Sequence, residues 1–151
     1  GLEVIVVNGI TSGLCAAAAL GVSWTDGRCA AHGVLLVTGQ CRTGAPGPDW
    51  TTIGRLAAGG TTVVIYMGLS RCAVLVSELR RSLPADWPAG IVERAGTDEQ
   101  RLHASSLGEL PESVARLRIR SPAVIFIGPV LNSVLQQAHS LVRDAEAVAL
   151  R

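Results

Sequence analysis

Residues 61–69, with the sequence TTVVIYMGL, contain the element that decides the fold. Thr61–Tyr66 is a β-branched, apolar run that begins after Gly59-Gly60, and it predicts a strand. A helix capped by Asp49 is predicted before this strand, and a helix capped by Ser70 and closed before Pro84 is predicted after it. The order helix, strand, helix is typical of an α/β fold.

The same alternation continues in both directions along the chain. Strands are also predicted at Leu2–Val7, Gly33–Thr38, Ala89–Glu93 and Ala123–Ile127. Leu2–Val7 has no polar alternation, so it is expected to be buried on both faces. Further helices are predicted from Thr11 or Ser12 to a stop at Gly21, from Pro111 to about Leu117, and from Leu131 to Leu150. The pattern as a whole predicts a three-layer α/β domain.

Composition narrows the classes of function. The chain has 151 residues, a formal net charge of +1 and 3% aromatic residues, so neither an electrostatic nor a stacking surface for nucleic acid is expected. All 13 basic residues are arginine, which excludes a Schiff-base lysine and a P-loop lysine from this sequence. The apolar runs are far shorter than the roughly 20 residues that a bilayer-spanning helix needs, so no membrane contact is expected.

The cysteines indicate the compartment and argue against a metal site. Cys15, Cys29, Cys41 and Cys72 form no C-x-x-C pair, so we expect no structural zinc and no other metal. Small buried thiols are the commonest state of free cysteine. Together with the lack of a secretory leader pattern, they predict a cytoplasmic protein, although an oxidised pair stays open.

Residues directly after the predicted strands are the candidates for ligand binding, because ligands of open α/β sheets bind beyond the carboxyl ends of strands. They are Thr11, Ser12, Gly39, Gln40, Met67, Arg94 to Gly96, and Gly128. Few of these are acids, bases or nucleophiles, and small residues and hydroxyls suit a nucleotide-like ligand better than hydrolytic chemistry. Tight turns need the same residue types, so turn chemistry alone also explains them. Glu93, Asp98 and Glu99 are the acids near this rim, and a solvated loop explains all three.

Seven segments between Val6 and Val130 occur in the order and spacing of a known family, the tetrapyrrole methylases, whose C-terminal half this chain resembles. The segments are VVNGITS at 6–12, LVTGQ at 36–40, DW at 49–50 with LA at 56–57, VIYMGL at 64–69, IVERAGTDEQR at 91–101, LGELP at 107–111 and SPAVIFIG at 121–128. The resemblance implies an α/β three-layer sandwich with a mixed sheet over residues 1–130. The tail at 131–151 is not matched, and its own apolar spacing predicts an amphipathic helix.

The same resemblance implies S-adenosylmethionine as methyl donor and a reduced, carboxylate-rich tetrapyrrole, uroporphyrinogen III, as acceptor. It carries over five donor contacts: Thr11, Ser12, Met67, Ala95 and Ala123. It also assigns Gln40 and Arg28 to the acceptor, and it implies a homodimer.

The chain departs from the family pattern at three places and lacks the family's N-terminal half with its G-x-G-P-G-D segment. Asn8 replaces a proline, Gln40 replaces a histidine, and Arg28 is displaced within its segment. We therefore expect the chain alone to bind the donor weakly and not to turn over.

Three functional hypotheses follow. The first is one part of a C-methyltransferase of the siroheme, cobalamin or heme d1 pathways. The second is a catalytically degenerate dimerisation or ligand-sensing domain, and the third is a methylase of a later corrin precursor.

Overall fold

A five-stranded mixed sheet forms the central layer of the computed structural model, which describes residues 2–27, 31–42 and 44–136. The strands are β1 (Gly33–Thr38), β2 (Thr61–Tyr66), β3 (Pro88–Glu93), β4 (Arg101–Ser106) and β5 (Ala123–Ile127), in the spatial order β1-β2-β5-β3-β4. β1 and β2 are parallel, β5 is antiparallel to both β2 and β3, and β4 is antiparallel to β3. The carboxyl ends of β1, β2 and β3 therefore share one edge of the sheet with the amino ends of β4 and β5.

Helices cover both faces of this sheet. α1 (Ser12–Leu20) packs on one face, and α2 (Trp50–Ala58), α3 (Cys72–Leu79) and α4 (Leu110–Arg116) pack on the other. Side chains alternate along a strand, so Val63 and Ile65 of β2 contact the second layer while Val64 lies beneath α1. All three are fully buried, which explains the unbroken apolar run. The three-layer sandwich with a mixed sheet is confirmed. None of the helices in the described ranges is long and apolar enough to cross a membrane.

Several local predictions are confirmed. β1, β2 and β5 have the predicted bounds, and β3 begins one residue early, at Pro88. Asp49 caps α2, because its carboxylate accepts hydrogen bonds from the N–H groups of Thr51 (3.0 Å) and Thr52 (3.1 Å). The hydroxyl of Thr52 also donates a hydrogen bond to this carboxylate, and that bond is the main reason why the pKa of Asp49 is lowered.

The strand predicted at Leu2–Val7 is wrong. Residues 2–10 are irregular, and Leu2, Val4, Val6 and Val7 are 80–96% exposed. A β-branched run becomes a strand only where a neighbour supplies hydrogen bonds and a surface to bury its side chains. Within the part of the chain that the structure describes, no strand pairs with this segment.

Two helix predictions need correction or completion. Ser70 is not the N-cap of α3, because it lies in a 3₁₀ turn at Leu69–Arg71 and α3 begins at Cys72. The turn takes up the space between the end of β2 and the helix. The helix predicted at 131–150 is helical at 132–136, and the rest falls outside the described residues.

The cysteines differ in burial more than the sequence predicted. Cys72 is buried, whereas Cys15 and Cys41 are partly exposed, and all three are free thiols. Burial raises the pKa of Cys72 to about 11, so its reactive thiolate is scarce at neutral pH. Cys29 lies outside the described residues.

Candidate functional site

A hollow of about 350 Å³ lies at the sheet edge where β2 and β3 end and β5 begins. We call it the edge hollow. Its lining combines small, hydroxyl-bearing and apolar residues: Ser12, Tyr66, Met67, Val92, Arg94, Ala95, Thr97, Ser121, Pro122, Ala123 and Val124. The antiparallel direction of β5 is what brings its first residue, Ala123, to the ends of the two parallel strands beside it.

Four of the five residues predicted to contact the donor line this hollow: Ser12, Met67, Ala95 and Ala123. The fifth, Thr11, lies beside it, because its Oγ1 and the Oη of Tyr66 are hydrogen-bonded at 2.6 Å and Tyr66 is in the lining. Thr11 occupies the N-cap position of α1 without making a side-chain cap bond, so its hydroxyl serves Tyr66 instead.

The other strand-end candidates lie elsewhere. Gln40 follows β1 and is exposed, and it does not line the edge hollow. Gly128 lies at the opposite edge, where its N–H donates to the carbonyl of Pro88 at 3.0 Å, because β5 runs against its neighbours. Its placement among the ligand-binding ends was wrong. Arg28 falls outside the described residues.

Glycines allow the elements around the edge hollow to approach closely. A Cβ on Gly13 of α1 would collide with Tyr66 Oη, so glycine lets α1 pass over this ring without displacing the Tyr66 side chain. A Cβ on Gly39 would lie 2.4 Å from Cα of Gly68, where the chain leaving β1 crosses the chain leaving β2. Main-chain contact at this crossing holds the two strand ends together.

Strained backbone occurs at the same place. Met67 and Arg94 follow β2 and β3 with φ of 52° and 50°, in the left-handed region that side chains other than glycine and asparagine rarely adopt. Met67 is also 60% exposed, so burial of its side chain in the core does not account for this conformation. Such strain clusters at functional sites, where the surrounding structure enforces it.

The sequence placed Glu93, Asp98 and Glu99 in a solvated loop, and this was wrong for Glu93, which is the last residue of β3. Glu93 is only 3% exposed, and its carboxylate accepts from Arg101 Nη1 and from the N–H of Arg120, both at 3.1 Å. Arg94 and Glu99 form an ion pair at the rim. The loop is further held by the N–H of Gly96, which donates to Gln100 Oε1 at 2.8 Å.

The arrangement has little of the equipment of a hydrolase. His103 is remote on the edge strand β4, and its pKa is lowered chiefly by burial. Within the described ranges, no group of three or more His, Cys, Asp or Glu side chains is placed to hold a metal ion. The edge hollow offers bare main chain, hydroxyls and a thioether, which suits the binding of an uncharged heterocycle with a sugar.

Comparison with known proteins gives a consistent result. Residues 1–111 match the model of the family described as tetrapyrrole (corrin/porphyrin) methylases. The uroporphyrinogen-III C-methyltransferase of Pseudomonas aeruginosa is 37% identical over 142 residues, which cover 93% of this chain and 56% of that protein. A siroheme synthase of Gluconacetobacter diazotrophicus is 36% identical over 87% of this chain and 27% of its own length. The chain thus spans about half the length, or less, of these relatives.

Solved structures have the same fold. Uroporphyrin-III C-methyl transferase from Thermus thermophilus, complexed with S-adenyl homocysteine, superposes with a TM-score of 0.69 at 32% identity over 85% of this chain and 53% of that one. The cobalt precorrin-4 methyltransferase superposes with a TM-score of 0.74 at 22% identity over 83% of this chain and 52% of that one.

Proposed function

We propose, since this chain belongs to the tetrapyrrole (corrin/porphyrin) methylase family, that it is one part of an S-adenosylmethionine-dependent C-methyltransferase acting on uroporphyrinogen III. The observation that carries the proposal is the convergence of Ser12, Met67, Ala95 and Ala123 on one hollow. Choice of acceptor rests on the relative at 37% identity, because the precorrin-4 enzyme at 22% identity informs the fold alone.

The methyl donor supplies an activated methyl group on a sulfonium, and the protein's task is to align it with an electron-rich carbon and to keep water out. Ala95 and Ala123 are small enough to expose the main chain of β3's end and β5's start to a flat ring. Ser12 offers a hydroxyl from the first turn of α1. Met67 projects its flexible, polarizable thioether over the lining, where sulfur packs well against an aromatic ring.

The remaining parts of the proposal concern the acceptor and the assembly. Gln40 and Arg28 stay proposed acceptor contacts, and a homodimer in the cytoplasm stays the proposed state. Exposed apolar side chains of α1 and β1, namely Leu14, Val34 and Leu36, support a subunit contact on that face.

The single methionine of the chain makes the first test direct. With ¹³C-methyl methionine incorporated, Met67 gives one methyl resonance that reports on the edge hollow alone. We expect this resonance to shift on addition of S-adenosylhomocysteine, with a dissociation constant of about 1 mM for the chain by itself. Joining the chain to the upstream part of the Pseudomonas aeruginosa relative, which it does not cover, should tighten binding and give methyl transfer to uroporphyrinogen III.

Blocking variants locate the bound molecule. Ala95→Leu should fill the hollow and abolish the shift, and Ser12→Leu, at an exposed position, should do the same without disturbing the core. Ala115→Leu on α4 is the matched control, because Ala115 is exposed and lies outside the lining. No shift at S-adenosylhomocysteine concentrations up to roughly 10 mM, or an equal loss with Ala115→Leu, contradicts the proposal.

A further inference from the structure

A second hollow adjoins the first and is lined by four arginines. It has a volume of about 580 Å³ and lies between the end of β3, the start of β4 and the turn after α4. We call it the arginine hollow, after Arg94, Arg101, Arg118 and Arg120. Arg94 lines both hollows, so the two share one wall.

Two of the four guanidinium groups are already paired. Arg101 donates to Glu93 at 3.1 Å and to the carbonyl of Leu117 at 3.0 Å. Arg94 pairs with Glu99. These pairs neutralise two of the three carboxylates in the lining, and Asp98 is the third.

Arg118 and Arg120 have no such partners. Within the described part of the chain, neither side chain forms a hydrogen bond or an ion pair, and both residues are exposed. The main chain of Arg120 is anchored, because its N–H donates to Glu93, which fixes where the guanidinium starts. Two unpaired positive charges against one exposed Asp98 leave the hollow attractive to an anion.

The backbone at Arg118 supports a binding role. Its φ of 51° is left-handed, at the end of α4, where glycine is the residue that fits without cost. The three residues other than glycine with positive φ in the described ranges are Met67, Arg94 and Arg118, and each lines at least one of the two hollows. The guanidinium of arginine is a fork of donors that matches a carboxylate in two parallel hydrogen bonds.

We infer that Arg118 and Arg120 bind a carboxylate side chain at the periphery of the tetrapyrrole whose reacting carbon faces the edge hollow. This rests on the proposed function. Neighbouring strands lie about 4.8 Å apart, so the start of β4 and the end of β3 are separated by little more than one strand spacing. Because Arg94 lines both hollows, an acceptor with carboxylates all around its ring can place one carboxylate in the arginine hollow while one of its carbons lies over the edge hollow.

The test measures binding of uroporphyrin, the fluorescent oxidised form of the acceptor, to the 151-residue chain. Uroporphyrin carries an acetate and a propionate on every pyrrole ring. The double variant Arg118→Asn with Arg120→Gln should bind uroporphyrin at least about tenfold more weakly than the unchanged chain, because each of the two substitutions removes a charge-assisted hydrogen bond to the carboxylate. Arg118→Gly, which suits the left-handed backbone, should weaken binding as well, and this guards against a folding artefact.

Matched controls separate this inference from the proposed function. Arg116→Gln removes the same charge from an exposed position of α4 outside the hollow, and it should change uroporphyrin affinity by less than about twofold. The Met67 methyl shift with S-adenosylhomocysteine should be the same in all variants. If the unchanged chain shows no Met67 shift with S-adenosylhomocysteine but still binds uroporphyrin through the two arginines, the proposed function is wrong and the carboxylate contact stands.

Any of three results would overturn the inference itself. The first is that uroporphyrin does not bind the unchanged chain, and the second is that it binds the double variant as tightly as the unchanged chain. The third is that succinate or inorganic phosphate displaces uroporphyrin at a concentration equal to that of uroporphyrin, which would identify a site for small free anions.

Discussion

His103 shows how a single buried atom makes stability depend on pH. It lies on β4, opposite Ile91 of β3, and its Nε2 is buried without a hydrogen-bond partner in the described structure. Desolvation is the main cause that lowers its pKa, and the nearby Arg101 acts in the same direction. The folded protein therefore holds the imidazole neutral at a pH where the unfolded chain takes up a proton.

The direction of the effect follows from proton counting. Between the ordinary pKa of 6.5 and the lowered pKa of His103 in the folded state, the unfolded state binds more protons, so the free energy of unfolding falls as the pH falls through this interval. His103→Phe removes this titration and the unpaired nitrogen. We expect urea unfolding, measured from about pH 8 to about pH 5, to give a stability difference that moves in favour of the variant as the pH decreases. A difference that is constant over this range contradicts the assignment.

Residues next to strand ends were predictable because local sequence marks both the strand and its stop. Met67 follows an apolar run and Ala95 follows another, so their convergence needed only the rule for strand ends and the family resemblance. The role of Glu93 was not predictable in this way. Its two partners, Arg101 and Arg120, lie 8 and 27 residues further along the chain, and only the folded sheet brings them to it.

At the scale of elements, the crossing after β1 and β2 controls the geometry of the candidate site. Gly39 donates its N–H to the carbonyl of Tyr66 at 2.7 Å, and its Cα faces Gly68. Gly39→Ala would place a methyl group against main chain, which has no rotamer by which to yield. We expect a loss of at least about 2 kcal/mol in the free energy of unfolding.

Gly33→Ala, at the first residue of β1, is the control. A Cβ there meets nothing within 4 Å, so this variant should be unchanged or stabilised, the latter by about 0.4–1 kcal/mol through a less flexible unfolded chain. Chemical denaturation of the Gly39→Ala and Gly33→Ala variants gives the two changes in the free energy of unfolding. Equal effects would mean that glycine at the crossing is not required for close packing.

Strand prediction failed twice, each time for a physical reason. β4, with the sequence RLHASS, was not predicted because it is an edge strand that pairs only with β3 and needs no continuous apolar run. Leu2–Val7 has the apolar run but no pairing partner in the described structure. Composition predicts what a segment can bury, whereas pairing depends on which neighbour is present.

For the molecule as a whole, the exposed segment at residues 2–10 is the main departure from an ordinary protein surface. Leu2, Val4, Ile5, Val6, Val7 and Ile10 are 75–96% exposed. Contiguous apolar surface of this kind marks a site of interaction. It leads directly into Thr11 and Ser12, beside the edge hollow, so a partner that covers the segment also adjoins the candidate site.

We expect the double substitution Val4→Lys with Val6→Lys to separate folding from assembly. Both side chains are at least 80% exposed and are not part of the buried core on either face of the sheet, so the free energy of unfolding should change by less than about 0.5 kcal/mol. The same variant should lose affinity for the upstream part of the Pseudomonas aeruginosa relative, added as a separate chain, because two charges cannot be buried there without partners. The readouts are urea unfolding for the first effect and, for the second, the Met67 methyl resonance at fixed S-adenosylhomocysteine with the upstream chain titrated in. A fall in stability of more than about 1 kcal/mol would mean that residues 2–10 pack on this domain instead, and unchanged affinity would mean that the partner surface lies elsewhere.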